Sequence, residues 1–164
     1  PKRIACFMLG YLCGYHGDAT RECRCTGAII QRYLAKISGP LLDRIDLHIE
    51  VPAVAFKEMR ASEGGASSAE IRARVEEARA LQRARGYYNA HIPVRLLRRL
   101  CRLDEAGERT LEMAVRRLGL SARAHDRILK VARTIADLAG EQSVTAKHLA
   151  EAIQYRTLDR DYWH

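Results

Sequence analysis

Ser38-Gly39-Pro40-Leu41-Leu42-Asp43-Arg44-Ile45-Asp46-Leu47-His48-Ile49-Glu50-Val51-Pro52 is the stretch on which the reading of this chain turns. Gly39-Pro40 ends any helix before it, because proline lacks an amide proton and holds the preceding residue away from helical dihedrals. Leu47, Ile49 and Val51 alternate with His48 and Glu50, the period of a half-buried strand, and Pro52 closes it. Arg44 is thereby expected on a short turn between a helical piece and a strand. Asp43 and Asp46 flank it, and carboxylates can orient a guanidinium through paired hydrogen bonds. On chemistry alone this is either a structural Arg–Asp pair or an arginine presented for work elsewhere.

Upstream, Ile4-Ala5-Cys6-Phe7-Met8-Leu9 is an apolar run without clear alternation, so strand and helix stay open. Gly10 to Thr26 reads as a loop, with three glycines and Cys13, Cys23 and Cys25. A tetrahedral zinc takes four soft or borderline ligands. These three cysteines supply three, and Cys6 or His16 is the candidate fourth; reduced thiols in a loop are the expectation and Zn2+ the alternative. Thr26 is placed to cap a helix over Gly27–Ile37, with Ile30, Tyr33, Leu34 and Ile37 on one face.

Downstream, Glu63-Gly64-Gly65-Ala66-Ser67-Ser68 is a flexible linker and marks a boundary. A helical module follows. Ser68 caps a helix with Ile71, Val75, Ala78 and Leu81 as its stripe and Gly86 as its stop. Tyr87 and Tyr88 lie in a basic loop, where aromatics either anchor the loop or stack on single-stranded bases. Helices are expected from Pro93, from Asp104 to Gly119, from Ser121 to Leu138 and from Ala146 to Tyr155. In the Ser121 helix, Ile128, Val131, Ala132, Ile135 and Leu138 form the buried side. Arg123, Arg127 and Lys130 line another, near amides that favour an anion. His48, His91, His125 and His148 fit no ligand spacing.

Composition bounds the function. The chain has 164 residues, enough for one ordinary core or two small ones without disulfides or metal. Its net charge is +8, and Ala69–Arg102 alone holds nine Arg against three Glu. That surplus suits a phosphate-bearing partner or a solvated arginine-rich helix. With no run of eighteen apolar residues and no cleavable apolar leader, the expectation is a cytoplasmic protein without a membrane partner. Five cysteines, four of them within the first 25 residues, fit a reducing compartment.

Ser38–Pro52 and Leu120–Leu138 together resemble magnesium-chelatase-like ATPases of the AAA+ superfamily, of the ComM/YifB type, and the resemblance runs from about Cys13 to Arg160. It implies a mainly α fold. A small α/β remnant of the nucleotide-binding core would span 1–62, with the cysteine loop, the Arg44 segment and one strand. The linker at 63–68, a helical lid over 69–160 and a tail at 161–164 would follow. The resemblance implies that Arg44 is an arginine finger reaching the ATP of a neighbouring subunit. Arg123 would be the sensor-2 arginine, with Arg127 in reserve. It further implies ATP and Mg2+ as the full-length protein's ligands, a self-assembled ring, taken as a hexamer, and DNA as the substrate of a recombination or competence motor. The chain departs from the pattern in its first loop. The family's Asn-Pro-Cys-Pro-Cys-Gly would place its first cysteine on Tyr11 and its sensor asparagine on Leu9. There is no Gly-x-x-x-x-Gly-Lys-Ser/Thr loop and no apolar strand ending in an acidic pair, so the chain alone is expected to be inactive. Two alternatives stand beside this reading: a magnesium-chelatase-type motor subunit, and a basic helical nucleic-acid-binding module with a zinc loop and no ATPase role.

Overall fold

Contacts divide the chain after Leu42 into two units, 1–42 and 43–164. The computed structural model describes residues 13, 15, 21–36, 39–42, 44–49, 54 and 65–156. The run Ile4–Leu9, Tyr11, His16, the first part of the linker and the tail from Asp161 lie outside them.

In the first unit, α1 spans Gly27–Leu34 and α2 spans Gly39–Leu42. Thr26 precedes α1 in extended geometry, and its carbonyl accepts the amides of Ile29 and Ile30 at 3.0 and 3.1 Å. Its hydroxyl makes no capping bond, contrary to the sequence expectation. The helix also ends three residues before Ile37. Pro40 falls in the first turn of α2, where a missing N–H removes no intrahelical bond.

The second unit contains α3 (Ser68–Ala84), a 3-10 turn (Asn89–His91), α4 (Val94–Leu100), α5 (Glu105–Leu118), α6 (Ala122–Leu138) and α7 (Ala146–Gln154). Side-chain caps fix the starts. Ser67, one residue before the expected cap, accepts the Glu70 amide, while the Glu70 carboxylate takes the Ser67 amide at 2.7 Å. The Ser67 amide, and after it the Ser67 hydroxyl, hold the Glu70 carboxyl below its ordinary pKa. Asp104 and Ser121 cap α5 and α6 as expected. Gly119 (φ 58°) and Gly140 (φ 72°) adopt the left-handed geometry that lets the chain leave α5 and α6.

Helix α6 is the axis of the unit: α3, the 3-10 turn, α4 and α7 all pack on it, and α5 packs on α7. Ile128, Leu129, Ala132 and Ala136 of α6 meet Ile92, Leu97, Leu111, Val144 and Leu149 in one core. Ala132 and Ala136 are wholly buried at its centre. Helix α3 buries only Ala78 and Gln82, whereas Ile71 and Leu81, expected on its inner stripe, are exposed. Gln82 is drawn in because its Oε1 accepts the Asn89 amide at 3.1 Å.

Beneath the 3-10 turn lies a buried polar hub. Asp137 accepts from Arg85 Nη1 (2.8 Å), Arg133 Nε (3.1 Å) and Asn89 Nδ2 (2.7 Å). Arg133 also donates to the Gln142 carbonyl at 2.7 Å, which ties α6 to the turn before α7. The carboxylate is thus fully partnered although its side chain has no exposed surface.

The expected strand over 47–51 is not formed where it is described. No strand occurs among the described residues, and 47–49 has no sheet partner there. The His48 amide instead donates to the Tyr155 carbonyl at the end of α7, 2.8 Å away. A helix terminus leaves carbonyls without intrahelical partners, and here one of them takes the bond a neighbouring strand would have taken. Glu50 and Val51 lie outside the described residues. Of the compositional linker, 65–68 is described and exposed, with Ser68 already the first residue of α3.

Candidate functional site

Arg44 occupies a turn, with its side chain exposed. The backbone from Arg44 to His48 is fastened to the helical bundle by three residues, Arg127, Tyr155 and Arg156. Arg127 Nη1 of α6 donates to the Arg44 carbonyl at 2.9 Å and forms an ion pair with Asp46. Arg156, just beyond α7, is buried and donates to the Ile45 carbonyl. The His48–Tyr155 bond closes the set. The bundle therefore holds the main chain of this turn, on which Arg44 is an exposed residue.

The cation row of α6 resolves into three different situations. Arg123 stands exposed in the first turn, with no ion pair or hydrogen bond among the described residues. Arg127 is three-quarters buried against the Arg44 turn. Lys130 donates to the Ala90 carbonyl at 3.3 Å. Asp126, beside Arg123 in sequence, meets His125 Nδ1 at 3.1 Å. His148 is likewise structural: its Nδ1 accepts the Thr145 amide at 3.1 Å, so the neutral ring carries its proton on Nε2, towards Glu141.

In the first unit, Cys13, Cys23 and Cys25 come together as their spacing suggested, with all three sulfurs within 4.8 Å of one another. The Cys13 and Cys23 sulfurs are 3.4 Å apart. The Tyr15 amide donates to the Cys13 sulfur at 3.4 Å, and this bond, with that from Cys25, brings the Cys13 thiol down to about 7. Cys25 is pushed up, chiefly by its own hydrogen bond to Cys13. The three thiols match three corners of a tetrahedral zinc site. Cys6 and His16, the candidate fourth ligands, lie outside the described residues.

Two family models cover most of the chain: magnesium chelatase, subunit ChlI C-terminal, over residues 65–156, and magnesium chelatase, subunit ChlI, over residues 5–59. The chain belongs to the magnesium-chelatase ChlI family. The ChlI-family relatives include Competence protein ComM of Haemophilus influenzae, 46% identical over 133 residues, which are 80% of this chain and 26% of that protein. The protein YifB of Escherichia coli is 41% identical over 142 residues, 84% of this chain and 28% of that protein. A protein of Mycobacterium tuberculosis strain H37Rv is 40% identical over 161 residues, covering 95% and 32%. The chain thus spans 26% to 32% of the length of these relatives. The mainly helical fold is that of a C-terminal lid in a family of AAA+-type ATPases, and residues 60–64 separate the two matched regions.

Sequence reasoning did not find Arg156 or the Asp137 hub. Arg133 and Asp137 are four residues apart on the register of the apolar face of α6, next to Ala132 and Ala136. A charged pair at that register was the available sign of a buried ion pair. No comparable pattern marks Arg156, whose partner is a backbone carbonyl more than a hundred residues away.

Proposed function

We propose that this chain is the C-terminal part of a ring-forming AAA+ ATPase, in which Arg44 is the arginine finger offered to the neighbouring subunit and Arg123 the sensor-2 arginine. The observation that carries this reading is that Arg44 is exposed on a turn whose backbone is bonded to Arg127, Tyr155 and Arg156 of the bundle. A guanidinium that must meet a triphosphate in another subunit has to be both presented outward and held in place. Such a finger stabilises the charge that spreads over the transferred phosphoryl group. Arg123 is also exposed, in the first turn of α6, where helix amides already favour an anion. ATP with Mg2+ is the substrate of the complete protein, whose other parts supply the phosphate loop and the acidic pair. Self-association closes the head-to-tail contact into a ring, read as a hexamer.

The substrate of the motor is read as DNA, during recombination or competence, in the cytoplasm. Its support is charge: Arg95, Arg98, Arg99 and Arg102 are all exposed along and just beyond α4, a helix without a carboxylate. A motor acting on a tetrapyrrole is the rival, and DNA-stimulated hydrolysis by the full-length protein separates the two. In the cysteine loop we read reduced thiols, with zinc as the alternative that a metal assay of the purified protein decides.

The deciding experiment is ATP turnover by full-length protein mixed with its Arg44→Ala variant. The variant is expected to retain ATP binding, to lose turnover by roughly a thousandfold or more on its own, and to poison mixed assemblies. Unchanged turnover would remove Arg44 from the reaction.

A further inference from the structure

We propose that Arg127, together with Asp46, is a positioning latch through which the lid sets where Arg44 stands, so that the state of one subunit's lid governs the finger it offers its neighbour. The inference rests on the reading of Arg44 given above and adds a connection to it. Helix α6 carries Arg123 in its first turn and Arg127 one turn later. The first is exposed and open to an anion; the second is committed, through Asp46 and the Arg44 carbonyl, to the turn bearing the finger.

Two features make this more than a surface ion pair. Arg127 engages a side chain and a main-chain carbonyl with the same Nη1, so it fixes the position of the turn as well as its charge. The Arg156 bond to Ile45 and the His48–Tyr155 bond fasten the same turn to the end of α7, which packs on α6. A shift of the lid therefore carries the backbone of Arg44 with it. An anion drawn to Arg123 would act on the same helix that holds the finger's turn. Because Arg127 is spent on this contact, the latch assigns it a role distinct from nucleotide contact.

The test uses the full-length protein and three variants beside Arg44→Ala: Arg127→Asp, Asp46→Arg and the two combined. Each single change places like charges opposite one another and is expected to lower kcat roughly 10- to 100-fold, the scale on which small misplacements cost rate. KM should stay within about twofold, since neither group touches the nucleotide in this account. The combined variant restores the ion pair with its direction reversed, though not the bond to the Arg44 carbonyl, and should recover part of the lost kcat, running clearly faster than either single variant. If Arg127 contacted nucleotide directly, its variant would raise KM and the combined protein would stay inactive; either result overturns the latch. Thermal melts of the variants provide a second readout: a combined variant that is fully folded yet no faster than the single ones also refutes it. Should Arg44→Ala itself leave turnover intact, the finger reading fails. Should Arg44→Ala abolish turnover while the Arg127 and Asp46 variants run normally, the latch alone fails.

Discussion

Helix α6 makes two Arg–Asp contacts of opposite character. Near its C-terminal end, Asp137 is sealed among Arg85, Arg133 and Asn89, with Arg133 and Asp137 each only 2% exposed. Near its N-terminal end, Arg127 meets an Asp46 side chain that keeps 42% of its surface in solvent. The same pair of functional groups therefore does two jobs. In the interior, a desolvated carboxylate paired with two guanidinium groups demands one arrangement of α3, the 3-10 turn and α6, since any other leaves a buried ion alone. At the rim, water competes for the Asp46 carboxylate, so the pair contributes less to stability than the hub and can be remade at smaller cost. Burial thus separates a pair that specifies the fold from one suited to positioning a movable turn.

The sharpest way to break this comparison is Asp137→Ala. It strands two guanidinium groups and should cost about 3–5 kcal/mol, lowering Tm by on the order of 15–30 °C for a unit of this size. A thermal melt that moved by only a few degrees would mean the hub is as dispensable as the rim pair. The cysteines extend the same contrast to a neutral group. The Tyr15 amide brings the Cys13 thiol down to about 7, whereas burial pushes Cys101 up to about 11. Lowering a thiol's pKa extends its reactive thiolate to lower pH, so iodoacetamide should modify Cys13 with a midpoint near pH 7. Cys101 should react at least about tenfold more slowly until the chain is unfolded, and peptide mapping of the labelled protein reads both rates. The smallest effect is expected at the rim: Asp46→Ala should change stability by less than about 1 kcal/mol, a Tm shift of a few degrees. A loss as large as that of Asp137→Ala would erase the distinction.

Most of the helical unit was legible from punctuation. Asp104, Ser121, Gly119 and Gly140 mark helix ends by local chemistry that needs no tertiary context, and the structure places those ends accordingly. The stripe of α6 was readable for the same reason, because a long helix repeats its period several times. The strand expected over 47–51 failed because alternation specifies a two-faced segment without naming its hydrogen-bond partner, which here is a helix terminus. Helix α3 misled through Ile71 and Leu81, whose apolarity outranked Gln82 until a specific amide claimed the glutamine. At the candidate site, the grouping of Cys13, Cys23 and Cys25 followed from short spacing. The attachment of the Arg44 turn to Arg127 and Arg156 did not, since contacts separated by 81 and 111 residues leave no local pattern.

The exposed opening turns of α3 have a mechanical consequence. Residues 68–74 are all exposed, yet the Ser67–Glu70 box keeps them helical without help from the core. They form a stiff arm about 10 Å long at a rise of about 1.5 Å per residue. A tilt of the bundle by about 10° would swing the far end of that arm by roughly 2 Å, so the chain entering at Ser67 would feel any rotation of the lid as a pull.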